Sequence, residues 1–192
     1  NLTYNPTVME VMSGYLGESI LVNGKFSPFH AVKSQTYRLR ILNGSNARIY
    51  NLAFSNDQSF TIIGNDGGLL KTPVSVNNIL ISPGERLDVL VDFSASNAGD
   101  EVFLISKVFS GGGNAQGNQL FKILKFKITQ KMNAPFIIPS ILSSITPLTA
   151  TQASRTRNFD ISNPGMNMQS GTHRINNKLF DENRIDETVS AN

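Results

Sequence analysis

The chain is written in short apolar segments of period two, separated by turn residues. Tyr37, Leu39 and Ile41 alternate with Arg38 and Arg40, which predicts a strand with one buried face. Asn43-Gly44 follows at once and predicts a turn. Tyr50, Leu52 and Phe54 repeat the alternation up to Ser55-Asn56-Asp57. A more continuous run, Phe60 to Ile63, ends at Asn65-Asp66-Gly67-Gly68, where positive φ is easily adopted. The clearest strand is Arg86 to Phe93. Leu87, Val89, Val91 and Phe93 share one face, Arg86, Asp88 and Asp92 the other, and Ser82-Pro83-Gly84 turns into it. Val102 to Ile105 and Phe121 to Ile128 complete the set, separated by the loop Ser110-Gly111-Gly112-Gly113-Asn114. No segment carries a helical period of useful length. Roughly seven strands with turns every ~8–12 residues predict two facing sheets around one core, an all-β Greek-key sandwich.

The pattern changes after Lys131. Asn133 to Thr149 holds Pro135, Pro139 and Pro147 and no charge, as expected of an extended linker lying along a surface. Arg157 to Ser162 and His173 to Phe180 read as two further short strands, too few to bury a core of their own. The expected organisation is an incoming interdomain segment at 1–13, a sandwich domain at 14–131, a linker at 132–153, and the first strands of an incomplete further domain at 154–192. Because the sequence opens on Asn1 rather than an initiator Met, it is expected to be an internal piece of a longer protein. The two tail strands are expected to pair with each other, to exchange between chains, or to stay unordered.

Composition narrows the function classes. At 192 residues, 40% hydrophobic and 16% charged, the chain suits a folded globular protein. A net charge of +3 is too thin for a nucleic-acid interface. With no Cys, disulfides, thiolate nucleophiles and thiolate metal ligands are excluded within this chain. No apolar run approaches the ~20 residues of a membrane span. The compartment stays open, an exported or cell-surface parent included.

Four segments carry a family resemblance. Gly17-Glu18-Ser19-Ile20-Leu21-Val22-Asn23-Gly24-Lys25 and Tyr37 to Arg48 resemble the entry and the R-x-R-x-L-N-x-x-N-A-R segment of the second domain of bacterial three-domain multicopper oxidases. Ile63-Gly64-Asn65-Asp66-Gly67-Gly68-Leu69-Leu70 and Pro83 to Phe93 are similar to the next two motifs of that domain, in the same order. Arg155 to Phe159 and Ile175 to Asp181 resemble the opening strands of its third domain. The resemblance implies a cupredoxin-like sandwich followed by a partial second one. It implies a parent of the laccase, spore-coat laccase, bilirubin oxidase or cuprous oxidase type. Such a parent couples one-electron oxidation of phenols, aromatic amines or metal ions to reduction of dioxygen to water, through type 1 and trinuclear copper centres. A type 1 site needs two imidazoles and a thiolate, and the trinuclear site needs sets of His pairs. In the family these lie in the first domain and late in the third, so this chain is expected to carry no catalytic, cofactor-binding or metal residue and to be inactive alone.

The remaining candidates read as structural. His30, in Ser27-Pro28-Phe29-His30, and His173 are each expected to be surface residues, since a metal site needs several ligands. Met166 and Met168, with Met9 and Met12 elsewhere, suggest thioether capture of cuprous ion less well than apolar packing. Gly111-Gly112-Gly113 lacks the Lys-Ser or Lys-Thr of a phosphate loop. Lys122, Lys125, Lys127 and Lys131, interleaved with Phe121, Ile123, Phe126 and Ile128, read as the solvent face of an outer strand. Glu85, Arg86, Asp88, Asp92 and Asp66 invite acid–base chemistry, but turn formation and cross-strand pairing with Arg38 and Arg40 account for them. Two functions follow. One is a scaffold holding the first and third copper-bearing domains of a parent. The alternative is a copper-free binding or assembly module acting through protein contacts.

Overall fold

The computed structural model describes residues 5–110, 117–132, 134, 136–162 and 174–189. They form two compact units, Asn1–Ile145 and Thr146–Asn192.

The first unit opens on a helix, α1 (Val8–Ser13), which the period-two reading passes over. Its signal is local. Thr7 and Glu10 form a capping box: Glu10 N–H donates to Thr7 Oγ1 (3.3 Å) and Thr7 N–H to Glu10 Oε2 (2.7 Å). A hairpin follows, β1 (Leu21–Val22) and β2 (Lys25–Phe26), turned by Asn23 and Gly24 at φ of 50° and 76°. Positive φ at both central residues is what a two-residue primed turn requires.

Among the described residues, nine further strands build the sandwich. They are β3 (Phe29–Lys33), β4 (Thr36–Leu42), β5 (Tyr50–Phe54), β6 (Phe60–Asn65), β7 (Gly68–Val76), β8 (Asn78–Ile81), β9 (Arg86–Asp92), β10 (Glu101–Ser106) and β11 (Phe121–Gln130). One sheet has the order β3-β11-β10-β5-β8 and the other β4-β9-β6-β7. All the strands named in the sequence reading are present. β3, β7 and β8 are additional, lacking a clean alternation; β7 carries Pro73, which an edge strand tolerates. β3 pairs β11 in parallel, with Phe126 beside His30 and Ile128 beside Val32.

The core is aromatic. Phe54, Phe93 and Phe126 are all but fully buried, with ring centroids 6.2, 5.1 and 6.1 Å apart pairwise, and Phe60 stands edge-on to Phe54 at 5.7 Å. Each such ring contributes about 2–3 kcal/mol by leaving water. Gly64 lets β6 close on its neighbours. A Cβ there would lie 2.9 Å from Gly68 O and 3.2 Å from Asp88 Cβ, where the register shifts.

Asn43-Gly44 is not a hairpin turn, because β4 and β5 lie in different sheets. Asn43 is instead buried and anchors the crossover. Its Nδ2 donates to Arg48 O (2.8 Å) and Ile81 O (3.0 Å), and its Oδ1 accepts from Ser45 N–H (3.0 Å). Beyond β11 the chain returns along the free edge of β7. Leu142 N–H donates to Lys71 O (2.9 Å), and Ser143 Oγ donates to Leu70 O (2.9 Å).

Among its described residues, the second unit holds one 3₁₀ turn (Ala150–Gln152) and two short strands, β12 (Ile161–Ser162) and β13 (Arg174–Ile175). These pair antiparallel with each other, one of the three outcomes expected of the tail. Surface ion pairs, Arg157–Glu187 and Asp186 with Lys178 and Arg184, join its segments.

Candidate functional site

The acidic residues that invite catalysis are all committed to local structure. Asp88 takes a two-pronged hydrogen bond from Arg38 of the adjacent strand, which holds its carboxyl below the usual range despite partial burial. Asp66 binds Arg86 (2.8 Å), and the hydrogen bond lowers its pKa as well. Asp92 Oδ1 accepts from Thr36 Oγ1 (3.2 Å) and Ser94 N–H (2.9 Å). Glu85 accepts the backbone N–H of Ser82 (2.5 Å), closing the turn into β9.

The lysines have a different setting from the one expected. β11 is not an outer strand, because β3 lies beyond it. A register shift between β10 and β11 places Lys122 and Lys125, three residues apart, over the same ring: their ammoniums lie 4.6 and 5.2 Å from the Phe103 centroid. Lys127 sits 4.6 Å above Phe29. Glu101 meets Lys125 at 2.9 Å and Lys127 at 3.8 Å, and the first of these holds its carboxyl below the ordinary value. Lys131 is elsewhere occupied, donating to Ser94 O (2.8 Å) and Ser96 O (2.9 Å).

His30 is not in a turn. It belongs to β3, on the register position paired with the core residue Phe126, yet it is exposed. It lines a cleft of about 950 Å³ between the sheets, together with Leu39, Ile41, Ile123 and Leu124. Ser45 Oγ in the same cleft lies 3.0 Å from the Tyr50 hydroxyl. Met9 is exposed on α1. His173, Met166, Met168, the side chain of Met12 and Gly111-Gly112-Gly113 lie outside the described residues.

Sequence reasoning passed over Arg48 as a site of its own, although the resemblance segment ends on it. It is 3% exposed and is held by neutral partners. Nε and Nη2 donate to Leu16 O (3.2 Å) and Gly17 O (2.7 Å), Nη1 to Gln119 Oε1 (2.9 Å), and the guanidinium lies 4.6 Å over Phe121. Gly117, at φ +87°, packs on its stem; a Cβ there would stand 2.7 Å from Arg48 Cγ. Arg48 therefore fastens residues 16–17 to the sandwich.

Among the described residues, no three His, Asp or Glu side chains converge as a metal site would need. With two His and no Cys in the whole chain, the donors present do not fit a type 1 or trinuclear copper centre. No helix among the described residues is long and apolar enough to cross a membrane.

Comparison with known proteins gives one answer. Residues 5–124 match the family profile described as multicopper oxidase. The chain is 37% identical over 128 residues to a laccase of Bacillus subtilis, covering 67% of this chain and 24% of the laccase. It is 34% identical over 187 residues to the cell division protein FtsP of Photorhabdus laumondii, covering 92% of this chain and 37% of that protein. Its fold matches the crystal structure of the McoA multicopper oxidase from Aquifex aeolicus with a TM-score of 0.76 at 35% identity, over 92% of this chain and 37% of that one. The chain thus spans well under half the length of these relatives, and its sandwich is cupredoxin-like. The family match runs through both sheets, from the capped helix into β11, and on that ground this chain belongs to the multicopper oxidase family.

Proposed function

We propose that this chain is the scaffold domain of a laccase-like multicopper oxidase, with the opening strands of a third cupredoxin domain in residues 154–192. The observation that carries the reading is the core. Two sheets close on Phe54, Phe93 and Phe126, and the acidic side chains that invite catalysis, Asp88 and Glu85 among them, serve turns and cross-strand pairs. In a family whose chemistry requires clustered imidazoles, such a domain contributes rigidity and spacing rather than ligands. The first and third domains of the parent are its partners and hold the type 1 and trinuclear copper centres. The parent would oxidise phenols, aromatic amines or metal ions one electron at a time and reduce dioxygen to water. The isolated chain carries no catalytic, cofactor-binding or metal residue and is inactive. Loading it with Cu²⁺, desalting it and measuring bound copper, absorbance near roughly 600 nm and phenol oxidation tests this. The expected result is substoichiometric copper, no blue band and no turnover. Tight copper at His30 or His173 would overturn it.

The likeness to FtsP over 92% of the chain favours a second reading, a copper-free assembly module acting through protein contacts. Sequencing the parent gene separates the two. His-x-His pairs before this segment and a Cys between His residues after it belong to the oxidase; their absence belongs to the module.

A further inference from the structure

The outer face of the five-stranded sheet carries an ordered pattern that neither reading uses. Across β3, β11 and β10 the register sets Phe29, Lys125 and Phe103 side by side, and Ala31, Lys127 and Glu101 in the next row. Lys122 joins Lys125 over the Phe103 ring. Lys125 and Lys127 thus share one carboxylate, Glu101, with Lys122 alongside over Phe103, on an open face where Phe29 is 61% exposed.

We propose that this face docks an extended acidic polypeptide segment with carboxylates at alternate positions. Glu101 shows how a carboxylate is received, bridging Lys125 and Lys127 from the adjacent strand. Lys125 and Lys127 are two residues apart on one strand, roughly 6.6 Å, which is also the repeat of same-side side chains in an extended peptide. Lys122 extends the row past the register shift. The exposed edge of Phe29 and the half-buried ring of Phe103 supply apolar contact between the charges. A bilayer fits less well, because insertion needs rings standing beyond the lysines, whereas two ammoniums lie over Phe103. Single-stranded nucleic acid would need rings with free faces for stacking, and here lysines cover them.

The test is an amide-shift NMR titration of the full chain with an eight-residue peptide of alternating glutamate and threonine. Parallel arms use vesicles of phosphatidylcholine and phosphatidylserine and a thymidine oligonucleotide. Perturbations should concentrate on Phe29, Phe103, Lys125 and Lys127, and the affinity should fall with added salt. The triple variant K122Q/K125Q/K127Q should weaken peptide binding at least about tenfold at low salt, since it removes the three cations grouped around Phe103, Phe29 and Glu101. K71Q, on the opposite sheet, should leave it unchanged. Thermal melts of both variants verify that they fold, and the single variant K127Q, expected to weaken binding several-fold, substitutes if the triple variant does not. Shifts spread over the molecule, equal loss in K71Q, or tighter binding of vesicles or oligonucleotide than of peptide would each overturn the proposal.

Discussion

Replacing Arg48 by Met keeps the stem that packs under Gly117 and removes the guanidinium alone. Three donated bonds disappear, to Leu16 O, Gly17 O and Gln119 Oε1, together with the stacking on Phe121. A charge-assisted bond contributes more than a neutral one, but Arg48 is buried against neutral acceptors, so desolvation offsets part of the gain. At a net ~1 kcal/mol per bond the loss is about 3 kcal/mol. With a urea dependence of about 2 kcal/mol per molar, the midpoint should fall by about 1.5 M. The damage should also be local. Leu16 and Gly17 lose their fastening, so chymotrypsin should cut after Tyr15 or Leu16 in the variant well before it cuts the wild type. Gly117→Ala should act on the same side chain, since its Cβ would collide with Arg48 Cγ and Ile49 O. The double variant should then cost less than the sum of the two. A midpoint within about 0.3 M of wild type, with unchanged cleavage before residue 17, would refute this account of Arg48.

Other perturbations have equally defined outcomes. Gly64→Ala should cost about 2 kcal/mol in a denaturant melt, because the new methyl meets Gly68 O and Asp88 Cβ in a closed register. Phe126→Ala should cost about 4 kcal/mol, since its ring is fully buried against Phe54 and Phe93. The carboxyls of Asp88 and Glu101 are held below their ordinary values, so their contribution is complete above about pH 4 and is lost as pH falls through the lowered values. Urea midpoints should therefore drop on acidification, and Arg38→Gln should flatten the Asp88 share of that drop. In the second unit Asp186, bonded by Arg184 and then Lys178, should titrate with a midpoint at about 2 when followed by carboxyl NMR.

Much of this architecture is legible in the sequence because one-face burial writes a period of two. Residues 37–41, 50–54 and 86–93 announce strands through that period, and the structure has them there. The period fails where neither face is covered: β7 is largely exposed along an edge, and alternation vanishes from it. Asn43 misleads for another reason. An Asn-Gly pair makes a tight hairpin only when the flanking strands are neighbours, and the sequence does not say that β4 and β5 part company between sheets. The pairing of Asp88 with Arg38 is readable as alternation on two strands, whereas Arg48 and the lysine–phenylalanine face depend on long-range register and a bulge, which no local pattern encodes.

The return of the chain along β7 has a consequence for how copies of the molecule meet. A free strand edge is a template on which another strand can add, and repeated addition makes a fibre. Here the carbonyls of Leu70 and Lys71 are already taken by Ser143 and Leu142. The segment that leads out of the sandwich is therefore also a plug against sheet growth at that edge. Its Pro139 lacks the N–H that a further strand would bind. The stretch that reads in the sequence as a passive connection thus occupies two of the edge carbonyls on which another strand would add.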